Sequence, residues 1–520
     1  MRVRKWLWCA PMAGALLGAP VGAQDIGPST SVEPYVVPTA TGVVTQSLLT
    51  VGDTVQGLGG PYRLAGIPDG MGAYDNGDGT ITVLMNHEHS SSAGVIRRHG
   101  INGSFVSKMI VDKTTRQIVQ GEDLIEQVKL WDGAQYVTGS EALNRLCSAD
   151  LPAATAFAYT DGSGAFFGTT DRIFMSGEET SNGRAFAHIA TGAEAGTSYE
   201  LPRLGNIAFE NVLASPYAQQ ATLVAGMDDA SRNFSSEGAS TPSELYFYVG
   251  QKQTSGTTIE KAGLTNGELY GVTVSGAADE NSFANGASFQ MHNLGDVSDL
   301  SGAELQAQSI GGDVNNPTLT QFRRIEDGAW MTVAGRENEF YFVTTDTFNG
   351  NSKLWQVEFG DITDPTAGGT ISTVVNGIDH GIHMMDNMTI DPWGRAIIQE
   401  DPGGNDYLAS IWVVDLVNGG DPIKVAEHNP KFFDPAEADP AFLTNNEESS
   451  GIIPVFDLLG DGWYLLDVQA HYNIGDPELV EGGQFAAIYI PRDLTDVPEP
   501  ASMLALAAGV MMIARRRKKA

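Results

Sequence analysis

Short apolar runs, each cut off within a few residues by glycine, aspartate, asparagine or serine, follow one another along most of this chain. They occupy 80–86, 105–111, 172–176, 221–225, 244–249, 268–274, 339–344, 353–358, 410–414 and 463–468. Between them stand hairpin signals such as Asn76-Gly77-Asp78-Gly79, Asn266-Gly267, Asn349-Gly350 and Asp461-Gly462. Helical periodicity is scarce, and 303–310 and 318–327 are the best short helix candidates. Such a pattern predicts an all-β fold: a sandwich, a barrel or a propeller. Size selects among them, because a chain of 520 residues with no internal Pro/Ser-rich linker suits one propeller better than a sandwich. No sequence repeat accompanies the strands, so WD40- or kelch-like blades are not supported. The expected architecture is a single irregular β-propeller of about six blades. In it, residues 24–45 lead in and pair into the last blade, and 276–316, poor in strong strands, form a long insertion.

Cysteine and charge restrict how such a body is stabilised. Of the two cysteines, Cys9 falls in the N-terminal segment, so Cys147 stands alone in the body and no intramolecular disulfide forms. Stability then comes from a large core. The whole chain carries 30 basic and 64 acidic residues, a formal charge of −34. Without its two ends, which hold eight basic residues and one acid, 22 face 63, or −41. That charge argues against nucleic acid and anionic lipid as partners. It suits a protein that loads divalent cations, since carboxylates are hard ligands for calcium, and equally one that is acidic for solubility outside the cell.

Both ends read as targeting segments. Arg2, Arg4 and Lys5 precede an apolar stretch from Trp6 to Val21, and Val21-Gly22-Ala23 offers the small residues that signal peptidase accepts. At the other end Val497-Pro498-Glu499-Pro500 is followed by an apolar run to Ala514 and by Arg515, Arg516, Arg517, Lys518 and Lys519. A short apolar segment backed by basic residues stalls in a membrane with its charges on the cytoplasmic side. This tail resembles the PEP-CTERM signal read by exosortase in Gram-negative bacteria. The expected division is a signal peptide at 1–23, a propeller body at 24–496 and a sorting tail at 497–520. Signal peptidase and exosortase are then the processing partners. The mature body ends at the cell surface or secreted, where an extracellular polysaccharide matrix is a further partner.

Acidic and histidine-bearing clusters fall at the expected strand ends. They are Asn86-His87-Glu88-His89, Gly177-Glu178-Glu179, Phe209-Glu210-Asn211, Asp228-Asp229, Arg324-Ile325-Glu326-Asp327, Asp386-Asn387 (with Asp379, His380 and His383 before it), Glu447-Glu448 and His471. Singly, each is what a solvated turn looks like. Recurrence at one structural place is the signal, because calcium takes about six to eight oxygen donors and a propeller gathers strand ends around one axis. Cys147, alone, reads as a small buried apolar residue rather than a ligand. Neither a GxxxxGK[ST] phosphate loop nor a GxSxG elbow is present.

The ordered series resembles the PhoX-type alkaline phosphatases, exported bacterial β-propeller enzymes. Asn86-His87-Glu88 matches the family's asparagine-histidine-glutamate, and Gly177-Glu178-Glu179 its cysteine-glutamate-glutamate except in the first position. Arg324-Ile325-Glu326 matches arginine-proline-glutamate with isoleucine for proline, and Asp386-Asn387 and Glu447-Glu448 match its remaining acidic steps. The resemblance implies hydrolysis of phosphate monoesters by a cluster of iron and calcium ions. Glu88, Glu178, Glu179, Glu210, Glu326, Asp386 and Glu447 or Glu448 would hold the metals, with Arg324 and Glu326 as the catalytic pair and Arg324 on the phosphate. With Gly177 where the family has its cysteine, calcium is the expected ion and the iron site reads as altered or missing. The second reading is a non-catalytic, calcium-stabilised propeller of the cell surface or matrix, and the third an esterase or lactonase on the same scaffold.

Overall fold

The computed structural model describes residues 22–230, 242–311 and 317–494. The sorting tail and all but the last two residues of the expected signal peptide lie outside the described residues. The described chain is all-β with a few short helices. Six strands line its centre: β1 (Pro68–Asp75), β2 (Leu146–Asp150), β3 (Asn206–Ala214), β4 (Ile325–Trp330), β5 (Met385–Ile390) and β6 (Glu447–Pro454). Each lies beside the next in chain order, and β6 lies beside β1.

Antiparallel sheets run outward from these strands. β1 is backed by Thr80–His87, Phe105–Asp112 and Ile118–Asp123. β5 is backed by Arg395–Glu400, Ser410–Asp415 and Ile423–His428. The groups that contain β2, β3 and β4 are linked by hydrogen bonds into one 15-stranded sheet. The middle strands of these sheets bury apolar side chains on both faces, which is why they read as apolar runs. Leu49, Met71, Val83 and Phe485 fill the space between the first and last sheets. Tyr341, Leu354, Met388 and Ile398 fill the space between the sheets of β4 and β5.

The N-terminal segment closes onto the last sheet. Val43–Thr50 pairs with Glu481–Tyr489, and Gly22–Ile26 adds to it in parallel. Two sequence expectations change. The helix expected at 318–327 is instead the strand Gln321–Arg323 followed by β4. Arg324 between them takes a left-handed backbone, φ 59°, which ends any helical run, and Ile325 to Trp330 are mostly buried on both faces, as a central strand requires. The segment 276–316 is only partly an insertion. Its strand Ala287–Gly295 pairs with Glu268–Val274 and Gly369–Asn376, joining two strand groups of the 15-stranded sheet. Within it, Gly302–Ile310 forms the expected helix, opened by a reciprocal cap between Ser301 and Glu304.

Candidate metal centre

The six inner strands share a device that aims side chains inward. In β2 to β5 two residues stand against one on the neighbouring strand, a β-bulge. Cys147-Ser148 oppose Gly177, Glu210-Asn211 oppose Met227, Glu326-Asp327 oppose Val343, and Asp386-Asn387 oppose Gln399. β1 slips register at Gly70, next to Asp69, and β6 at Ser450, two residues after Glu448. Gly70 is required there, because a Cβ would stand 2.0 Å from the Ala149 nitrogen of β2.

The first residue of each bulged pair joins a buried cluster near the N-terminal ends of the strands. Donor atoms of Asp69, Glu88 and Cys147 lie within 4.8 Å of one another, as do those of Cys147, Glu179 and Glu210, and of Glu210, Glu326 and Asp386. Cys147 and Glu210 each belong to two of these groups, so the cluster is continuous. The second residues of the first three pairs, Ser148, Asn211 and Asp327, form a hydrogen-bonded belt that reaches the backbone of β5 and ties the strands together. The Asn211 amide donates to Asp327 Oδ1 at 2.6 Å and to Ser148 Oγ at 3.2 Å, and Asp327 Oδ2 accepts the Met388 N–H at 3.0 Å. A cavity of about 510 Å³ opens at the other end of the inner strands, around Tyr74, Arg172, Trp330 and Phe456, away from the cluster.

Packing acids together out of water makes their ionisation costly. Burial, and then neighbouring carboxylates, push Asp69, Glu210 and Asp386 well above the usual range. Glu326 rises likewise, by burial and the Asp229 carboxylate. Glu179 is pushed up to about 8 by burial and Glu88, and Asp401 to about 7 by burial and Glu448. Burial and the acids around it likewise raise the Cys147 thiol, which donates to Asp69 Oδ2 at 3.4 Å. Among the described residues, three cations border the cluster. Arg145 meets Glu88 at 2.6 Å and also Glu179. Arg324 holds Asp229 with Nε and Nη2, both at 2.8 Å, and meets Glu326 at 3.0 Å. His471 lies between Glu481, at 2.7 Å, and Glu448, at 3.3 Å. Burial opposes its imidazolium, but the two carboxylates outweigh that and push its pKa up to about 11.

Of the acids singled out in the sequence, the structure brings together Glu88, Glu179, Glu210, Glu326 and Asp386, with Glu448 beside them on the side of Asp69 and Asp386. Glu178 lies elsewhere: both its oxygens are taken by the Arg184 guanidinium at 2.8 and 2.9 Å. Glu447 faces the opposite side of β6, toward His428 at 3.6 Å, because successive side chains of a strand alternate in direction. Sequence reasoning missed Asp69, Asp401 and Arg145. Cys147, expected as a small buried apolar residue rather than a ligand, is buried but belongs to two of the donor groups, and the β2 bulge sets it and Ser148 directly against Gly177.

The donor set fits bound cations. Glu210 is 2% exposed and its Oε1 has no hydrogen-bond partner among the described residues, so a buried acceptor is left for a cation. Carboxylate oxygens dominate, as calcium prefers, and one thiol adds a softer donor. Gly177, by contrast, faces the core: a Cβ there would stand 2.3 Å from that of Phe209. Gly177→Cys is therefore expected to cost about 1–3 kcal/mol by overpacking and to leave metal content unchanged. A thermal melt and metal analysis check this; a gain of bound iron would overturn it.

Residues 496–518 match the PEP-CTERM protein-sorting motif. That motif implies export, surface association in Gram-negative bacteria and processing by exosortase. Among the described residues, no helix is long and apolar enough to cross a membrane. No curated protein matches the sequence. Among solved structures, the chain is similar to Pseudomonas fluorescens PhoX in complex with vanadate, described as a transition state analogue. The TM-score is 0.61 at 11% identity, covering 88% of this chain and 96% of that one. A Xanthomonas campestris gluconolactonase scores 0.35 at 9% identity, covering 88% and 99%. Drosophila Semaphorin 1a scores 0.32 at 11% identity, covering 86% and 88%. The likeness to PhoX is one of fold: the chain is all-β, and its structural neighbours are propellers.

Proposed function

We propose that this chain is an exported, metal-dependent phosphatase-like protein acting on phosphate esters, built on a propeller with one of β1 to β6 at the head of each of six blades. The observation that carries this reading is the continuous buried cluster of carboxylates around one thiol, delivered by bulges on successive inner strands. Likeness of fold to a phosphatase supports it without carrying it. Asp69, Glu88, Glu179, Glu210, Glu326 and Asp386 would hold calcium, with Glu448 beside them, and Cys147 gives the centre one donor of the kind iron takes.

Bound cations supply positive charge that polarises phosphate oxygens and offsets the charge developing in transfer. The protein's part is to position that charge. The belt through Ser148, Asn211 and Asp327 fixes the bulges, and burial keeps water from screening the cluster. Arg324 reaches the phosphate with Nη1, while Asp229 and Glu326 hold the rest of its guanidinium. Without cations so acidic a site repels a phosphate dianion, so loading is a condition of activity. In this reading residues 1–23 are removed by signal peptidase, and the mature body works at the surface or in the polysaccharide matrix around it.

Metal analysis of the purified protein, paired with p-nitrophenyl phosphate hydrolysis with and without calcium, tests the proposal. The expected result is bound calcium, turnover that depends on it, and a loss of about 10²–10³-fold in Arg324→Ala, the scale for removing one donor to a transition-state oxygen. Metal without turnover would instead support the non-catalytic, calcium-stabilised surface protein.

A further inference from the structure

We propose that Arg145 is a second phosphate-binding arginine of this centre and that, with Arg324, it selects a phosphate monoester dianion; the inference rests on the phosphatase reading above. Arg145 immediately precedes β2 and takes a left-handed backbone, φ 51°, a conformation that non-glycine residues seldom adopt and that concentrates at functional sites. Two backbone hydrogen bonds hold it there. Its N–H donates to the His89 carbonyl at 2.9 Å, and its carbonyl accepts the Glu179 N–H at 2.9 Å. The residue is thereby clamped between the segments that carry Glu88 and Glu179, two members of the cluster.

Its guanidinium is the more open of the two. Both carboxylate contacts, to Glu88 and Glu179, use Nη2. Nε and Nη1, with three N–H donors between them, meet no acceptor among the described residues, and the side chain is 44% exposed. Arg324 differs: Asp229 occupies the edge formed by Nε and Nη2, Glu326 shares Nη2, and the side chain is 27% exposed. The two ion pairs adjoin, since the charge of Glu179, a partner of Arg145, acts on Glu326 and is acted on by Asp229, the partners of Arg324. Both guanidiniums therefore border one cluster. A phosphate monoester dianion offers three terminal oxygens and two negative charges, a diester two oxygens and one charge. Two guanidiniums with free N–H donors beside bound cations, Nε and Nη1 of Arg145 and Nη1 of Arg324, supply the several donors and the positive charge that the monoester takes.

Titrating inorganic phosphate into the calcium-loaded protein reads this directly. Arg145→Ala is expected to weaken phosphate binding about 10- to 100-fold, the scale of a lost charge-assisted hydrogen bond, with calcium stoichiometry unchanged. Arg145→Lys, which keeps the charge and loses the separate Nε and Nη1 donors, falls between. In turnover, KM for p-nitrophenyl phosphate should rise more than KM for bis(p-nitrophenyl) phosphate, with kcat less affected. If wild type binds phosphate and Arg145→Ala binds it equally well, Arg145 leaves the binding site and the phosphatase reading stands. Loss of calcium in Arg145→Ala would make the residue a counter-ion of the ligands and overturn the proposal. Calcium-loaded wild type that binds no phosphate would sink the phosphatase reading along with it.

Discussion

Protein stripped of metal by EDTA is expected to melt at progressively lower temperature as the pH rises from about 5 to 9, and calcium is expected to reverse this most strongly at the alkaline end. The sign follows from the cluster. Carboxyl groups in an unfolded chain ionise near pH 4. In the folded, metal-free protein, Asp69, Glu210, Glu326 and Asp386 are held well above that value, chiefly by burial, with Asp401 at about 7 and Glu179 at about 8. Between these limits the folded state keeps protons that the unfolded state has released, so each step up in pH favours unfolding. His471 acts in the same direction. Its folded pKa of about 11 means that its stabilising charge pairing, complete below pH 6.5, is lost as the pH rises toward 11. Calcium binds the ionised carboxylates and replaces the protons. At a hundred times its Kd, each independently bound ion contributes about 2.7 kcal/mol. A melting temperature that is flat with pH after chelation, or indifferent to calcium, would remove the cation cluster from consideration.

Glu210→Ala is expected to lower the metal content by at least one ion and phosphate-ester turnover by roughly a thousandfold, a scale set by the several kcal/mol of charge stabilisation that a bound cation supplies. Glu210 is singled out because it joins the Cys147–Glu179 group to the Glu326–Asp386 group, and because its Oε1 is buried with no partner among the described residues. Loss of a carboxylate at a junction breaks two donor sets at once. Glu178→Ala is the informative contrast. Its carboxylate lies outside these groups and takes both Nε and Nη2 of the half-buried Arg184. That variant should lose stability, toward the 3–5 kcal/mol of a broken buried ion pair, yet keep its metal. Metal analysis and thermal melts on the two variants separate the roles. Equal metal loss in both, or in neither, would contradict the placement of the site.

Much of the outer architecture was legible because those strands obey the rule that makes them legible. The runs at 80–86, 268–274, 339–344 and 463–468 are apolar because they pack between sheets, and each coincides with or lies within an observed strand. The inner strands escaped detection for the complementary reason. β1 reads Pro-Asp-Gly-Met-Gly, which has turn chemistry, and β4 and β5 carry Glu326-Asp327 and Asp386-Asn387 where a core strand would carry apolar residues. Their polar side chains face a shared centre, so hydrophobic patterning fails at the strands that build the site.

The sequence by itself determined the sorting motif at the C-terminus and the all-β class, and it singled out most of the acids that meet, since these depend on composition and on contacts between near neighbours. Only the tertiary structure decided which acids meet. It separated Glu179 from Glu178 and Glu448 from Glu447 by strand alternation, and it set Cys147 against Gly177 across a bulge. It also placed Arg145 beside Glu88, and Asp69 beside Cys147. The physical reason is that register and bulges fix the direction of each side chain, and these arise from pairing between strands far apart in the chain.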